Sequence, residues 1–255
     1  MTIEQIKKTA YSPAGASREF RQALSEDSRA GVRELLDKLL RAENTLALEL
    51  KRLGKMFLYE EDLKARGYHL IAGVDEAGMG PLAGPVVAAA VILTIRTNFP
   101  GLNDSKKLTA ARREILAEQI KDAALAWSVG SSSVDEIFLD NIRQAGLKAM
   151  RRAVTGLALK PAYVLVDGFK IDRLDYPQTP VINGDSLSAS IAAASILAKV
   201  TRDHLMDSYH KLYPQYGFDR HKGYGTQEHL EALSAYGPCP IHRAGYRPVQ
   251  DCLRS

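Results

Sequence analysis

Apolar residues recur at three- and four-residue steps from Ala30 to Phe57: Val32, Leu35, Leu36, Leu39, Leu46, Leu50, Leu53 and Phe57. That spacing predicts one long amphipathic helix, free of proline and reaching Gly54 only near its end. The polar stretch ahead of it, residues 1 to 28, carries a breaker, SPAG, at 12–15. Past Tyr68 the texture changes. HLIAGVD and PVVAAAVIL (85–93) are continuous apolar runs, predicting two buried strands joined by a short Gly-rich loop as an antiparallel pair. Downstream, strand and helix patterns alternate. LTAARREILAEQIKDAAL (108–125) is helical, AWSVGSSSV (126–134) a strand, and 134–157 one helix. AYVLVD (162–167) and TPVIN are strands, then SASIAAASILAKVTRDHLMDSYHKL and TQEHLEALSAYG are helical. The order predicts an α/β fold, a mixed sheet flanked by helices. Residues 1–66 are expected to form a helical N-terminal extension, and 67–255 the main domain with a helical C-terminal region.

Composition narrows the classes. The 255 residues are 45% hydrophobic and 25% charged, with a formal net charge of +4. These are the proportions of a soluble globular protein with a slight bias toward anionic partners. No stretch approaches the length of a membrane span, and the N-terminus lacks the apolar core of a secretion signal. Two cysteines, Cys239 and Cys252, cannot build a disulfide framework or a four-thiolate metal site. A cytoplasmic protein without a membrane partner is expected.

The chemistry is expected where buried strands end in charge. LIAGVDE ends at Asp75 and Glu76, and AYVLVDG ends at Asp167. An isolated buried carboxylate is costly, so two such strand ends call for a reason. If the strands are parallel neighbours, Asp75 and Asp167 project into one pocket at their carboxyl ends. Alternation sends Glu76 to the other face unless the glycines that follow let the backbone turn. Asp185, in NGDS, precedes a helix whose Ala and Ser face can lie close to the sheet; an ordinary helix cap is its other reading. Clustered carboxylates need cations, and an oxygen-only donor set favours Mg²⁺ or Mn²⁺, two of which can activate water and stabilise a leaving oxygen. Gly78-Met79-Gly80 leaves a bare backbone that a ligand can approach.

GVDEAGMGPLAGPVVAAAVIL, NDSKKLT, YVLVDG, GDSLSASIAAASILAKVTRD and HKGYGTQEHLEAL occur in this order. Together they resemble ribonuclease HII, the type 2 ribonuclease H, over about residues 68–248. The resemblance implies a ribonuclease H-like fold, with the helical preface matching the extension of some bacterial members. It implies an endonuclease acting on RNA–DNA hybrids and on DNA duplexes with embedded ribonucleotides, leaving 3′-hydroxyl and 5′-phosphate ends. Roles in ribonucleotide and RNA-primer removal come with it, as does a monomer. The implied catalytic and metal-binding set is Asp75, Glu76, Asp167 and Asp185, with Mn²⁺ or Mg²⁺. The family's loop is usually Gly-Arg-Gly and reads the ribose 2′-hydroxyl; here Gly78, Met79 and Gly80 occupy it, so the backbone contacts remain without the guanidinium. Ser105 and Lys106, at a helix start in DSKK, suit a phosphate. Tyr224 matches a tyrosine that stacks on the sugar at the RNA–DNA junction. Lys199 and Arg202 share a helix face and either hold phosphates or are solvated.

Two other readings stay in view. A ribonuclease HIII-like hybrid nuclease shares the fold, though GPLAGPVV and the short preface favour HII. A non-catalytic hybrid-binding module has no use for four carboxylates facing an anionic backbone. Five of the six histidines (204, 210, 221, 229 and 242) follow residue 200 without metal-ligand spacing, and Cys239-x-x-His242 is half a zinc site.

Overall fold

The computed structural model describes residues 1–10, 17–95, 97 and 99–254. The SPAG breaker at 12–15 lies outside them. The chain forms two compact units, Met1–Arg52 and Leu53–Ser255.

In the first unit, α1 (Ile3–Ala10), α2 (Arg18–Ser25) and the first part of α3 (Ala30–Met56) share a core of Ile6, Leu24, Val32, Leu35 and Leu39. Ser17 starts α2 by accepting from the Phe20 amide at 3.1 Å, satisfying one orphan donor of the first turn.

The second unit holds a five-stranded sheet. Its strands are β1 (Ile71–Ala77), β2 (Val86–Ile92), β3 (Ala126–Ser132), β4 (Tyr163–Asp167) and β5 (Gln178–Val181), in the order β3-β2-β1-β4-β5. The pair β1–β2 is antiparallel, as the short Gly-rich loop predicts, while β1–β4 and β4–β5 are parallel. Around the sheet run α4 (Leu58–Ala65), α5 (Ala110–Ala123), α6 (Val134–Asp140), α7 (Ile142–Thr155), α8 (Gly184–Leu187) and α9 (Ala189–Leu212). Three C-terminal helices follow: α10 (Phe218–His221), α11 (Gln227–Tyr236) and α12 (Arg247–Arg254).

Strand alternation splits the core between two faces. Ala72, Val74, Ala88, Ala90, Val164 and Val166 pack with Ala145, Ala149 and Ala153 of α7. Ala89 and Val91 pack on the other side with the alanines and Ile196 of α9, with α5 and with Leu53, Met56 and Phe57. The small residues of α9 let that helix lie hard against β1. At Gly73 an added Cβ would overlap the carbonyl carbon of Ser190 and the amide of Ile191.

One predicted element is divided. The helix expected over 134–157 breaks at Asn141, which takes φ 67° and caps α7 by accepting from the Gln144 amide at 3.1 Å. With ψ at 163° this is not the αL well that asparagine readily adopts but a positive-φ extended conformation, held by the side-chain cap on α7.

Candidate active site

Register carries the strand-end acids to one place. Val74 is opposite Val166 in the parallel pair, so Asp75 and Asp167 follow as neighbours at the carboxyl ends of β1 and β4. Both belong to the sheet face that carries α9, since Ile71 and Leu165 of the same alternation sets pack beside Ile191. β1 stays paired through Ala77, so the backbone does not turn at Glu76 as the glycines would have permitted. Alternation puts Glu76 on the opposite face, yet at the strand end its carboxyl is repelled by Asp167 and attracted by Lys106.

Asp75 is 4% exposed and Asp185 6%. Asp75 Oδ1 accepts from the Glu76 amide at 2.7 Å, and the nearby Ser195 hydroxyl of α9 favours its charged form. The Ser195 hydroxyl shares a hydrogen bond of 2.9 Å with that of Ser105, which ties the turn at Ser105 to α9 beside Asp75. Asp167 Oδ1 accepts from the Gly184 amide at 2.7 Å, which ties β4 to the start of α8 and to Asp185. Lys106 Nζ is 3.8 Å from Asp185.

The electrostatics are those of crowded like charges. Burial, then Glu76 and Asp167, push the Asp75 carboxyl well above the usual range, against its two donors. Burial and Asp167 push Glu76 up to about 7. Burial raises Asp185, with Asp104 and Asp167 adding to it and Lys106 opposing. Lys106 itself is raised: burial works against its charge, but Asp185, Asp75, Asp104 and Asp167 outweigh it. Among the described residues no three His, Cys, Asp or Glu side chains are closed into a metal cage. The donor set nevertheless fits hard divalent cations, being all oxygen, largely buried and short of positive charge.

The other expected residues are distributed around this cluster. Ser105 is buried and begins a short 3-10 turn, Ser105–Lys107, capped by Asp104. Tyr224 is 44% exposed, with its ring edge near Gly80. Met79 does not project freely; it packs on the α7 side of the core, its sulfur against Gly146. Lys199 is engaged with Asp203 on its own helix at 2.7 Å. Arg202, read from sequence as a surface or phosphate-facing cation, is 1% exposed and therefore internal.

Three features had no clear sequence signal. Ser195 looked like one small residue among many. Arg243 had no motif around it. Glu60 of α4, only 4% exposed, caps the start of α9: its Oε1 accepts from the Ser188 hydroxyl at 2.7 Å, the Ser190 amide at 3.0 Å and the Ser190 hydroxyl. Its Oε2 is buried without a hydrogen-bond partner among the described residues.

Behind Tyr224, the protons of three histidines are fixed by hydrogen bonds to main chain and, for two of them, to each other. The Tyr224 carbonyl can only accept, so His229 donates to it from Nδ1 at 2.8 Å. His229 Nε2 then accepts from His242 Nε2 at 3.0 Å, and His242 Nδ1 accepts from the Cys239 amide at 2.9 Å. His221 donates to the Tyr216 carbonyl at 2.7 Å and accepts from the Gly223 amide at 3.2 Å. Each ring is neutral in this pattern. Cys239 and His242 thus belong to a hydrogen-bond chain, not to half a zinc site. Burial lowers all three imidazoles, His242 to about 4. Unfolded histidines bind protons below about pH 6.5, so this stability is full above that pH and is lost as pH falls toward 4. His242 alone accounts for about 2 kcal/mol by pH 5. An imidazole NMR titration is expected to show His242 unprotonated at pH 5.5; protonation above pH 6 would refute the assignment.

Comparison with known proteins gives a consistent result. Residues 72–249 match the family model for ribonuclease HII, and residues 2–64 match the model for the ribonuclease HII N-terminal domain. The ribonuclease HII of Pelotomaculum thermopropionicum is 60% identical over 254 residues, 99% of this chain and 96% of that protein. The ribonuclease HII of Desulfitobacterium hafniense is 51% identical over 99% of this chain and 96% of its own length. Among solved structures, the ribonuclease H2 of Pyrococcus horikoshii superposes with a TM-score of 0.63 at 26% identity, covering 73% of this chain and 98% of that one.

Proposed function

Because the chain belongs to the ribonuclease HII family of metal-dependent endoribonucleases, we propose that Asp75, Glu76, Asp167 and Asp185 are its catalytic and metal-binding carboxylates. The family acts on RNA in RNA–DNA hybrids. The observation that carries the assignment is the convergence of four carboxyls whose mutual repulsion a bound divalent cation would relieve. Bound there, Mn²⁺ or Mg²⁺ supplies the charge that activates water and stabilises the leaving oxygen, giving 3′-hydroxyl and 5′-phosphate ends.

The chain's own residues do the rest. The Glu76 amide orients the Asp75 carboxyl, with Ser195 beside it, and the Gly184 amide holds Asp167. Lys106, whose side chain is 80% exposed, stands between Asp185 and solvent, where an incoming phosphate oxygen meets its ammonium. Lys199 is assigned to phosphate contact by exchanging Asp203 for the nucleic acid, whereas Ser105, expected from the sequence to touch phosphate, is buried on Ser195 and supports the site from within. Gly78, Met79 and Gly80 contact the ribose through the main chain, beside Tyr224, whose exposed ring stacks on the next sugar. Residues 67–255 do this chemistry; residues 1–66 support substrate binding or stability. We place the protein in the cytoplasm as a monomer that removes ribonucleotides and RNA primers from DNA. No helix among the described residues is long and apolar enough to cross a membrane.

The test is a labelled DNA duplex bearing one ribonucleotide, incubated with and without Mn²⁺. Cleavage on the 5′ side of that ribonucleotide is expected, and only with metal. Cleavage restricted to long RNA tracts would refute junction reading.

A further inference from the structure

Arg202 and Arg243 are each 1% exposed, and among the described residues neither forms an ion pair. Their donors go to main-chain carbonyls. Arg202 donates to Ala83 at 3.0 Å, Pro85 at 3.1 Å and Lys222 at 3.0 Å. Arg243 donates to Gly78 at 2.6 Å, Met79 at 3.1 Å and Gly84 at 2.9 Å. The Tyr246 hydroxyl, itself 3.2 Å from Arg243, gives Met79 a second donor at 3.1 Å. Five of these six acceptors belong to the single loop between β1 and β2.

Burying two guanidiniums is costly: burial works against the charge of both, and Arg243 adds its repulsion to Arg202. Apolar side chains would join helix to sheet without that cost. What they cannot do is turn five carbonyls of one short loop inward. Gly78 is bare for the same reason: it has φ 99°, and a Cβ there would collide with the Arg202 guanidinium. The missing side chain is space for a cation from within.

A trans peptide unit points its C=O and the next N–H in opposite directions. With the Gly78 and Met79 carbonyls held on Arg243, the amides of Met79 and Gly80 face away from it. Neither amide donates to a protein acceptor among the described residues. Gly80 is exposed and lies beside the Tyr224 ring. Two oriented amides backed by buried positive charge form a donor pair for one oxygen.

We propose that Arg202 and Arg243, steadied by Tyr246, are positioning residues that aim the Met79 and Gly80 amides at the ribose 2′-oxygen. This rests on the ribonuclease reading above and adds to it the device that makes a bare loop selective. DNA lacks that oxygen, so fixed donors left unpaired disfavour a deoxyribose, whereas a loose loop would find other partners.

The experiment compares two DNA duplexes, one carrying a ribonucleotide and the other a 2′-fluoro nucleotide at the same position, a far weaker acceptor. Turnover and KM are measured with Mn²⁺ for the full-length protein and for Arg202→Lys, Arg243→Lys and Tyr246→Phe. The preference for ribose is expected to shrink about tenfold in the two lysine variants, through slower turnover of the ribose substrate. Half-maximal Mn²⁺ concentration is expected to stay unchanged. Tyr246→Phe, which removes one hydroxyl and spares both charges, is expected to shrink the preference about threefold and covers the case of lysine variants that do not fold. A purely structural role would slow both substrates alike, and an unchanged preference in the folded variants overturns the inference. If the unsubstituted protein leaves the ribonucleotide duplex uncut, the proposed function itself fails.

Discussion

Asp75→Asn is expected to abolish cleavage while leaving the metal-free protein as stable as before, or more so. The catalytic loss should be about a thousandfold or greater, or about 4 kcal/mol of transition-state stabilisation. The opposite sign in stability follows from the site's electrostatics. Burial and the charges of Glu76 and Asp167 work against an ionised Asp75, and an amide removes that penalty while its oxygen still accepts from the Glu76 amide. With Mn²⁺ the order should reverse, because a ligand that binds only the folded state stabilises the protein that binds it. Thermal melts with and without Mn²⁺, beside a cleavage assay, check both halves. A folded Asp75→Asn protein with near-normal turnover would remove Asp75 from the catalytic set.

Gly73→Ala is expected to cost about 4 kcal/mol or more, although it adds only one methyl group. The new Cβ meets the Ser190 carbonyl carbon and the Ile191 amide, both backbone atoms in the first turn of α9. A flexible side chain could swing aside; a helix backbone cannot. The only relief is to lift α9 off β1, which also draws Ser195 away from Asp75. Urea denaturation should show the loss, and activity at permissive temperature should fall with it. A midpoint equal to that of the unsubstituted protein would mean that the helix and strand are not in contact there.

The same close approach shows what the sequence reveals and what it hides. The strands at 69–75, 85–93 and 162–167 were legible because alternation and apolar runs are local signals. Asp75, Glu76 and Asp167 stood out because charge at the end of a buried run is a local contradiction. The break at Asn141 was hidden, since apolar periodicity continues across it and only the backbone conformation reveals it. Arg202 was misread because its spacing from Lys199 matches that of a solvated helix face, while its burial depends on carbonyls more than a hundred residues away. Arg243 was invisible for the same reason, reaching Gly78 across 165 positions. Long-range hydrogen bonds to main chain leave no residue pattern at either end.

Glu60 and the serines it holds are separated by 128 and 130 positions along the chain. That distance orders events during synthesis. Glu60 leaves the ribosome early, with no partner for its carboxylate, and waits while the whole of the sheet is made. The first turn of α9 gains its acceptor only when this large loop closes, and such distant pairings are slow to form. Asp185 and Ser195 sit just before and just after that turn, so the carboxylate pocket is assembled among the last parts of the molecule. A chain whose five strands have all been made still lacks the geometry that cuts a phosphodiester.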